Sequence, residues 1–163
     1  ISNLNVNSEA QTGKHYSSGL FGWVESHTAG HGHIKNVKIA GATIVGHHNC
    51  GALAGYTTGS VIVENCHVKN AAITCTHATD DADGDKAGAL IGNGTANPEV
   101  IKNCTAADCT VNAGRDAGQI GGAAKAVNVT GCAATNVTVE ALSGCTDSNA
   151  GGNIRNEVIG RLL

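Results

Sequence analysis

The 163-residue sequence contains few aromatic residues, few charges, one proline and no methionine. Aromatic side chains make up 2% of the chain and charged ones 14%, whereas about a quarter of an average protein is charged. Because no stretch is rich in leucine, glutamate and lysine at helical spacing, we do not expect a helical bundle. An apolar fraction of 41% argues against a disordered chain as well.

The sequence also lacks long apolar runs and a strong positive charge. No run of 18 apolar residues is present, so we expect no membrane insertion. A net charge of −3 with ten scattered lysines and arginines argues against nucleic acid or anionic lipid as a partner. Since the chain begins at Ile1 without methionine, we expect it to be a mature or excised piece of a larger secreted protein.

Glycine is abundant, at 23 residues, and much of it lies in a repeated phrase, Gly-x-apolar-x-Gly. Successive copies begin 32, 37, 30 and 38 residues apart. Such spacing is typical of repeat architectures, in which each unit buries its apolar face against the next. The copies are Gly19–Gly22, Gly51–Gly55, Gly88–Gly92, Gly118–Gly122 and a degenerate Asn156–Gly160.

A second phrase, apolar-x-Asn-x-x-apolar, follows each of the first four glycine phrases by 11 to 15 residues. A turn former and an alternating apolar pair come after it, and the turn formers are Gly41, Asn70, Asp108 and Asn136. The copies of the phrase are Ile34–Ile39, Val63–Val68, Ile101–Ala106 and Val129–Ala134, and we assign the opening segment Ile1–Val6 as an earlier copy.

These phrases predict three short strands per unit, separated by bends. Short strands of this kind become stable when equivalent strands of successive units pair in parallel, about 4.8 Å apart. The predicted fold is therefore all-β: a parallel β-helix, or β-solenoid, of four to five coils of about 30–38 residues in one domain spanning residues 1–163. We expect right-handed winding, because parallel crossovers are right-handed in about 98% of sheets.

Stacking predicts vertical columns of like residues. An amide ladder would contain Asn3, Asn36, Asn65 and Asn103, and Gly131 would end it. An inward column would contain Cys66, Cys104 and Cys132, with Val37 and Leu4 continuing it. We interpret these thiols as small apolar core residues, with a metal-binding or redox thiol stack as the alternative.

The glycine phrase followed by Ile/Val-x-Asn-Cys resembles the GLUG-motif repeat of large bacterial surface proteins, notably of Bacteroides relatives, and of some immunoglobulin A peptidases. Four copies cover Gly19 to about Val139. The resemblance implies a β-helical segment of a secreted or surface-anchored adhesin-like protein. It implies no catalytic residue, because the motif contains none.

Two groups of residues could bind a metal ion. Asp81, Asp83 and Asp85 alternate as in calcium loops, although Gly84 comes one position early and the twelfth position is glycine; the alternative is a solvated acidic loop. Zinc could be bound by two histidine pairs, for which exposed loop histidines are the alternative interpretation. These pairs are His31 with His33, and His47 with His48.

We therefore predict a non-catalytic structural or adhesive module on the cell surface or outside the cell, acting as a rigid spacer that presents loops. Its partner would be a glycan or protein of the host or bacterial surface, and the solenoid ends could associate end to end. The alternative is a carbohydrate-binding or polysaccharide-degrading β-helix, which needs aromatic platforms and paired carboxylates. Phe21 and Trp23 are adjacent candidates for such a platform. An ice-binding face is disfavoured, since Ala72 interrupts the column of Thr43, Thr110 and Thr138.

Overall fold

The computed structural model describes residues 1–10, 16–27, 32–77, 85–95, 100–124, 128–141 and 159–162. These residues form eighteen strands, β1 to β18, in four parallel sheets, here named A to D. Sheet A contains β1 (Ser2–Asn7), β5 (Lys38–Gly46), β9 (His67–Cys75), β13 (Thr105–Ala113) and β17 (Ala133–Ala141). Sheet B contains β2 (Ser17–Ser18), β6 (Asn49–Cys50), β10 (Lys86–Gly88) and β14 (Asp116–Gly118).

The other two sheets complete each turn of the chain. Sheet C contains β3 (Phe21–Ser26), β7 (Ala54–Gly59), β11 (Ile91–Gly94), β15 (Gly121–Ala124) and β18 (Ile159–Leu162). Sheet D contains β4 (Gly32–Lys35), β8 (Val61–Glu64), β12 (Val100–Lys102) and β16 (Asn128–Thr130).

The chain visits sheets B, C, D and A in that order, and it does so four times between β2 and β17. Each strand pairs in parallel with its counterpart in the next coil, as between β5 and β9. The prediction of an all-β parallel solenoid is confirmed. The degenerate last repeat also pairs in the predicted register, with Ile159 opposite Gly121. Right-handed winding and a single domain over residues 1–163 stay predictions.

Alternate residues of each coil point inward and stack into apolar columns. Burial of these columns supplies the main stabilising free energy, at roughly 25 cal/mol for each Å² of apolar surface. Because equivalent positions of successive coils pack on one another, each apolar position of the repeat builds one continuous column of the core. Three such columns are Ile34–Val63–Ile101–Val129, Ile39–Val68–Ala106–Ala134 and Ile44–Ile73–Val111–Val139.

Two columns of residues with left-handed backbone make two of the bends. Asn36, Asn65 and Asn103 have φ between 53° and 59°, and Gly131 continues their column at 62°. Asparagine and glycine tolerate this conformation, which costs most other residues about 1–2 kcal/mol. The predicted ladder is present, since Asn65 Nδ2 donates to Asn36 Oδ1 at 2.6 Å.

The second bend column lies inside the strands of sheet A, and it corrects one predicted alignment. Asn3 lies opposite Gly41 and Leu4 opposite Ala42, so Asn3 is not in the column of Asn36, and Leu4 does not continue the cysteine column. The opening segment therefore matches Ile39–Ile44 rather than Ile34–Ile39. The two segments share an apolar-x-bend-apolar-x-apolar pattern, which is why the pattern alone could not separate them.

The predicted count of three strands per coil is also wrong, because a fourth strand of two or three residues, in sheet B, leads into each of the first four glycine phrases. Strands this short carry no recognisable periodicity. They explain the last glycine of the phrase: a Cβ on Gly55 would lie 2.4 Å from Ser18 N, and one on Gly92 would lie 2.4 Å from Cys50 N. Sheets B and C therefore approach backbone to backbone, which only glycine permits.

We expect Asn65→Ala to lower the free energy of unfolding by about 2 kcal/mol, and Asn65→Gly by about half as much. Both variants lose the amide bond to Asn36, but only alanine is strained at a φ of 53°. Urea unfolding measures the difference, with the exposed Thr43→Ala as a control. Equal losses for the two variants would contradict a left-handed corner at this position.

Candidate functional site

Three histidines from two successive coils meet at the corner between sheets A and B. His47 and His48 connect β5 to β6, and His77 follows β9 in the next coil. The parallel ladder continues past the strand ends, because His77 N–H donates to His47 O at 3.2 Å. This backbone pairing places His77 directly over the His47–His48 pair.

The three rings, here called the histidine cluster, form a closed triangle. Ring centroids lie 4.7 Å apart for His47 and His48, 4.3 Å for His47 and His77, and 4.5 Å for His48 and His77. One potential ligand atom from each ring lies within 4.8 Å of the other two. His48 is 2% exposed, and the other two side chains are partly buried. Neutral imidazoles in such an arrangement are typical metal ligands.

Two neighbouring side chains hold this cluster in place. Asp85, which is fully buried, has its Oδ1 atom 3.0 Å from His77 Nδ1. In a neutral imidazole, a carboxylate that accepts from Nδ1–H leaves Nε2 as the nitrogen without a proton. The Cys75 thiol donates to the backbone carbonyl of His48 at 2.5 Å, and burial raises the pKa of this thiol well above its usual range.

The structure brings together some of the predicted metal-binding residues but not others. His47 and His48 do converge, but His33 lies exposed on β4 and is outside the cluster; His31 lies outside the described residues. Asp81 and Asp83 also lie outside them, so the calcium site stays a prediction, although Asp85 is buried beside His77 rather than solvated. Sequence reasoning missed His77. The signal that could have found it is the parallel register, which puts His77 one coil above His48.

The cysteine column of Cys66, Cys104 and Cys132 is present as predicted, with each backbone N–H donating to the next sulfur at 3.4 Å. The six cysteines among the described residues are free thiols. Several of their S–H groups donate to backbone carbonyls, as that of Cys109 does to Ala107 O at 3.1 Å. These contacts satisfy the thiols as core residues, in line with the interpretation of cysteine as a small apolar side chain.

An aromatic strip lies on the outer face of sheet C and consists of Phe21, Trp23 and Tyr56. Trp23 and Tyr56 are cross-strand partners, with ring centroids 4.4 Å apart and planes tilted by 44°. Phe21 and Trp23 are 41% and 47% exposed. Tyr56 Oη lies 2.5 Å from Thr95 Oγ1, so a polar edge borders the rings. Exposed aromatic rings beside hydrogen-bonding groups are typical of ligand-binding surfaces.

Two places among the described residues, a surface pocket and the outer face of sheet D, lack a pair of acids suited to catalysis. A shallow pocket of about 260 Å³ follows the second bend column, and its lining contains amide, hydroxyl and aliphatic groups but no carboxylate. On sheet D, Glu64 lies 3.2 Å from Lys102 and 3.3 Å from Lys35. Hydrogen bonds from Lys102 and Lys35 hold the pKa of Glu64 below its usual range, which does not suit a general acid.

No known family model matches the chain, and neither does any curated protein. Among solved structures, it is similar to one described as "a putative immunoglobulin A1 protease from Bacteroides ovatus". The TM-score is 0.56 at 19% sequence identity, and the match covers all of this chain and 60% of that chain. The shared property is the fold: this chain is a parallel β-helix of a kind that also occurs in a Bacteroides protein.

The described residues include no helix long and apolar enough to cross a membrane.

We expect Cys132 to be alkylated at lower pH than Cys109. A hydrogen bond from Cys104 lowers the pKa of Cys132 to about 6, whereas burial raises the pKa of Cys109. Since the thiolate is the nucleophile, iodoacetamide labelling of Cys132 should rise through about pH 6. Peptide mass spectrometry across about pH 5 to 9 measures both sites. A Cys132 profile that rises together with that of Cys109 would refute the shared thiol hydrogen bond.

Proposed function

We propose that this chain is a non-catalytic, adhesive repeat segment of a bacterial surface or secreted protein, and that it belongs with the GLUG-motif repeats it resembles. The solenoid serves as a rigid support, and its aromatic strip binds a surface glycan. The observation that carries this proposal is the contact of the exposed Trp23 ring with the partly exposed Tyr56 ring on a regular parallel sheet.

The rigidity follows from the pairing. In sheet A every described strand except the two at its ends is hydrogen-bonded along both edges, so the coils cannot slide independently. A surface on such a sheet keeps its shape before a ligand arrives, which lowers the entropy cost of binding. A short module of this kind is suited to holding a binding surface in a defined orientation.

A glycan fits the aromatic strip better than a flat protein surface does. Sugar rings have one apolar face, which packs on an aromatic ring, and a rim of hydroxyl groups, which need hydrogen-bond partners. Glu25 follows Trp23 on the same outward face of β3, and its side chain is 46% exposed. Thr58 follows Tyr56 on β7, and its hydroxyl lies 3.2 Å from that of Thr95, which comes directly after β11. The strip thus combines ring faces with acceptors and donors at its edge.

The similarity to a Bacteroides protein described as a protease supports the bacterial origin, but the proposed role here is binding. The low charge of the chain agrees with a neutral glycan partner better than with a strongly charged one.

We expect the purified chain to bind bacterial or host glycans on a glycan array. Trp23→Ala should weaken the affinity for the best glycan about tenfold or more, since aromatic contacts dominate such sites. Titration calorimetry with the best glycan gives the affinity. The matched control is Tyr16→Ala, which removes another exposed aromatic ring outside β3 and β7.

Incubation with mixed polysaccharides should release no new reducing ends if the module is not an enzyme. Release of sugar that persists in Trp23→Ala would replace the proposal with the polysaccharide-degrading alternative. Binding that is equally weakened by Tyr16→Ala, or absent from the whole array, would contradict a glycan site on the aromatic strip.

A further inference from the structure

We infer that the histidine cluster of His47, His48 and His77 is a binding site for one zinc ion or a similar borderline divalent cation. This site is separate from the aromatic strip, and it shares Asp85 with the predicted calcium loop of Asp81, Asp83 and Asp85. It would join two successive coils at the corner where sheet A leads into sheet B.

The donor set determines the class of cation. Three imidazoles supply nitrogen ligands, which zinc and neighbouring transition metals prefer, whereas calcium and magnesium take oxygen ligands. Tetrahedral zinc with Zn–N distances of about 2.0–2.1 Å needs its nitrogens about 3.3 Å apart. The three potential ligand atoms already lie within 4.8 Å of one another, so small side-chain rotations bring them into range.

The second argument is the support behind the ligands. Asp85 Oδ1 accepts from His77 Nδ1 at 3.0 Å, which forms the carboxylate–histidine pair that commonly orients a zinc ligand. The backbone carbonyl of His48 is held by the Cys75 thiol. Asp85 and Cys75 are both fully buried, so their own positions are restricted by packing. They therefore hold the His77 ring and the His48 backbone in defined positions.

The third argument concerns an unsatisfied atom. His47 Nδ1 is buried and makes no hydrogen bond within the described residues. A buried polar nitrogen without a partner is destabilising and is rare in native structures. Packing three imidazoles without a cation leaves that cost in place, whereas a bound cation gives such nitrogens a partner.

A cation at this position would be a cross-link between coils. His47 and His48 precede β6, and His77 follows β9 one coil later. The ion would therefore link two chain segments that lie about thirty residues apart in the sequence. Such a clamp raises the stability of the solenoid by the free energy of metal binding. Asp85 is a positioning residue in this arrangement, because it acts through His77.

The test uses the full chain, stripped with a chelator and titrated with ZnCl₂ by calorimetry, with CaCl₂ in a parallel titration. We expect one zinc per chain, a higher unfolding temperature with zinc, and no such effect of calcium. His77→Gln should weaken zinc binding at least a hundredfold. Asp85→Asn should weaken it about 10–100-fold, as loss of such orienting partners does. His33→Gln, a histidine exposed on β4, is the matched control and should bind like the parent chain.

A second measurement needs no variant and separates this site from the thiols. Cobalt(II) bound by imidazoles gives visible d–d bands without the near-ultraviolet thiolate-to-cobalt band that cysteine ligands produce. Zinc should also shift the imidazole nitrogen resonances of the histidine cluster and leave those of His27 and His33 unchanged. A thiolate band, unchanged cluster resonances, or undiminished binding by a folded His77→Gln variant would overturn the inference. Loss of glycan binding by Trp23→Ala would not bear on it.

Discussion

Parallel pairing of each coil with the next is the constraint on which the rest of this structure depends. A two- or three-residue strand such as those of sheet B cannot hold itself together, since it has too few hydrogen bonds and too little apolar surface. Stacked in register, an inner strand such as β6 or β10 is bonded on both edges, and its residues lie over the equivalent positions of the neighbouring coil. The short strands, the columns and both candidate sites all require this register.

The corners of the coils require residues that tolerate a left-handed backbone conformation. Asn36, Asn65 and Asn103 adopt left-handed backbone, and the amide of Asn65 donates to that of Asn36 along the column, so asparagine supplies both the bend and a bond between coils. Where Gly131 replaces the amide, the backbone conformation is kept and the ladder bond is lost. Asp108 accepts a bond from Asn136 Nδ2 at 2.9 Å, which repeats the same solution in the second bend column.

Stacking also brings chemical groups together without any local motif. The thiols of the cysteine column become neighbours because they occupy one inward position in successive coils, and they are accommodated as core. The histidine cluster differs from that column, because its members sit at a corner, one of them contacts a buried carboxylate, and one nitrogen is left without a hydrogen bond within the described part of the chain. The same geometric rule therefore produces core packing at one position and a candidate metal site at another.

The sequence by itself determined the architecture, because a repeated pattern of apolar positions and bend formers at intervals of about 30–38 residues is compatible with few folds other than stacked coils. It also identified the amide ladder except for Asn3, the cysteine column except for Leu4, and Phe21 with Trp23 as candidates for an aromatic platform. It could not choose between two equivalent alignments of Ile1–Val6, nor detect the strands of sheet B, because those features carry no distinct pattern.

Only the tertiary structure decided which side chains meet. His77 and Asp85 flank residues 78–84 and have no motif in common with His47 and His48, yet the parallel register puts all four at one corner. Tyr56 likewise becomes the neighbour of Trp23 only through the pairing of β3 with β7. The physical reason is that a solenoid converts a separation of one repeat along the chain into a contact of about 4.8 Å, and insertions of unequal length hide that correspondence in the sequence.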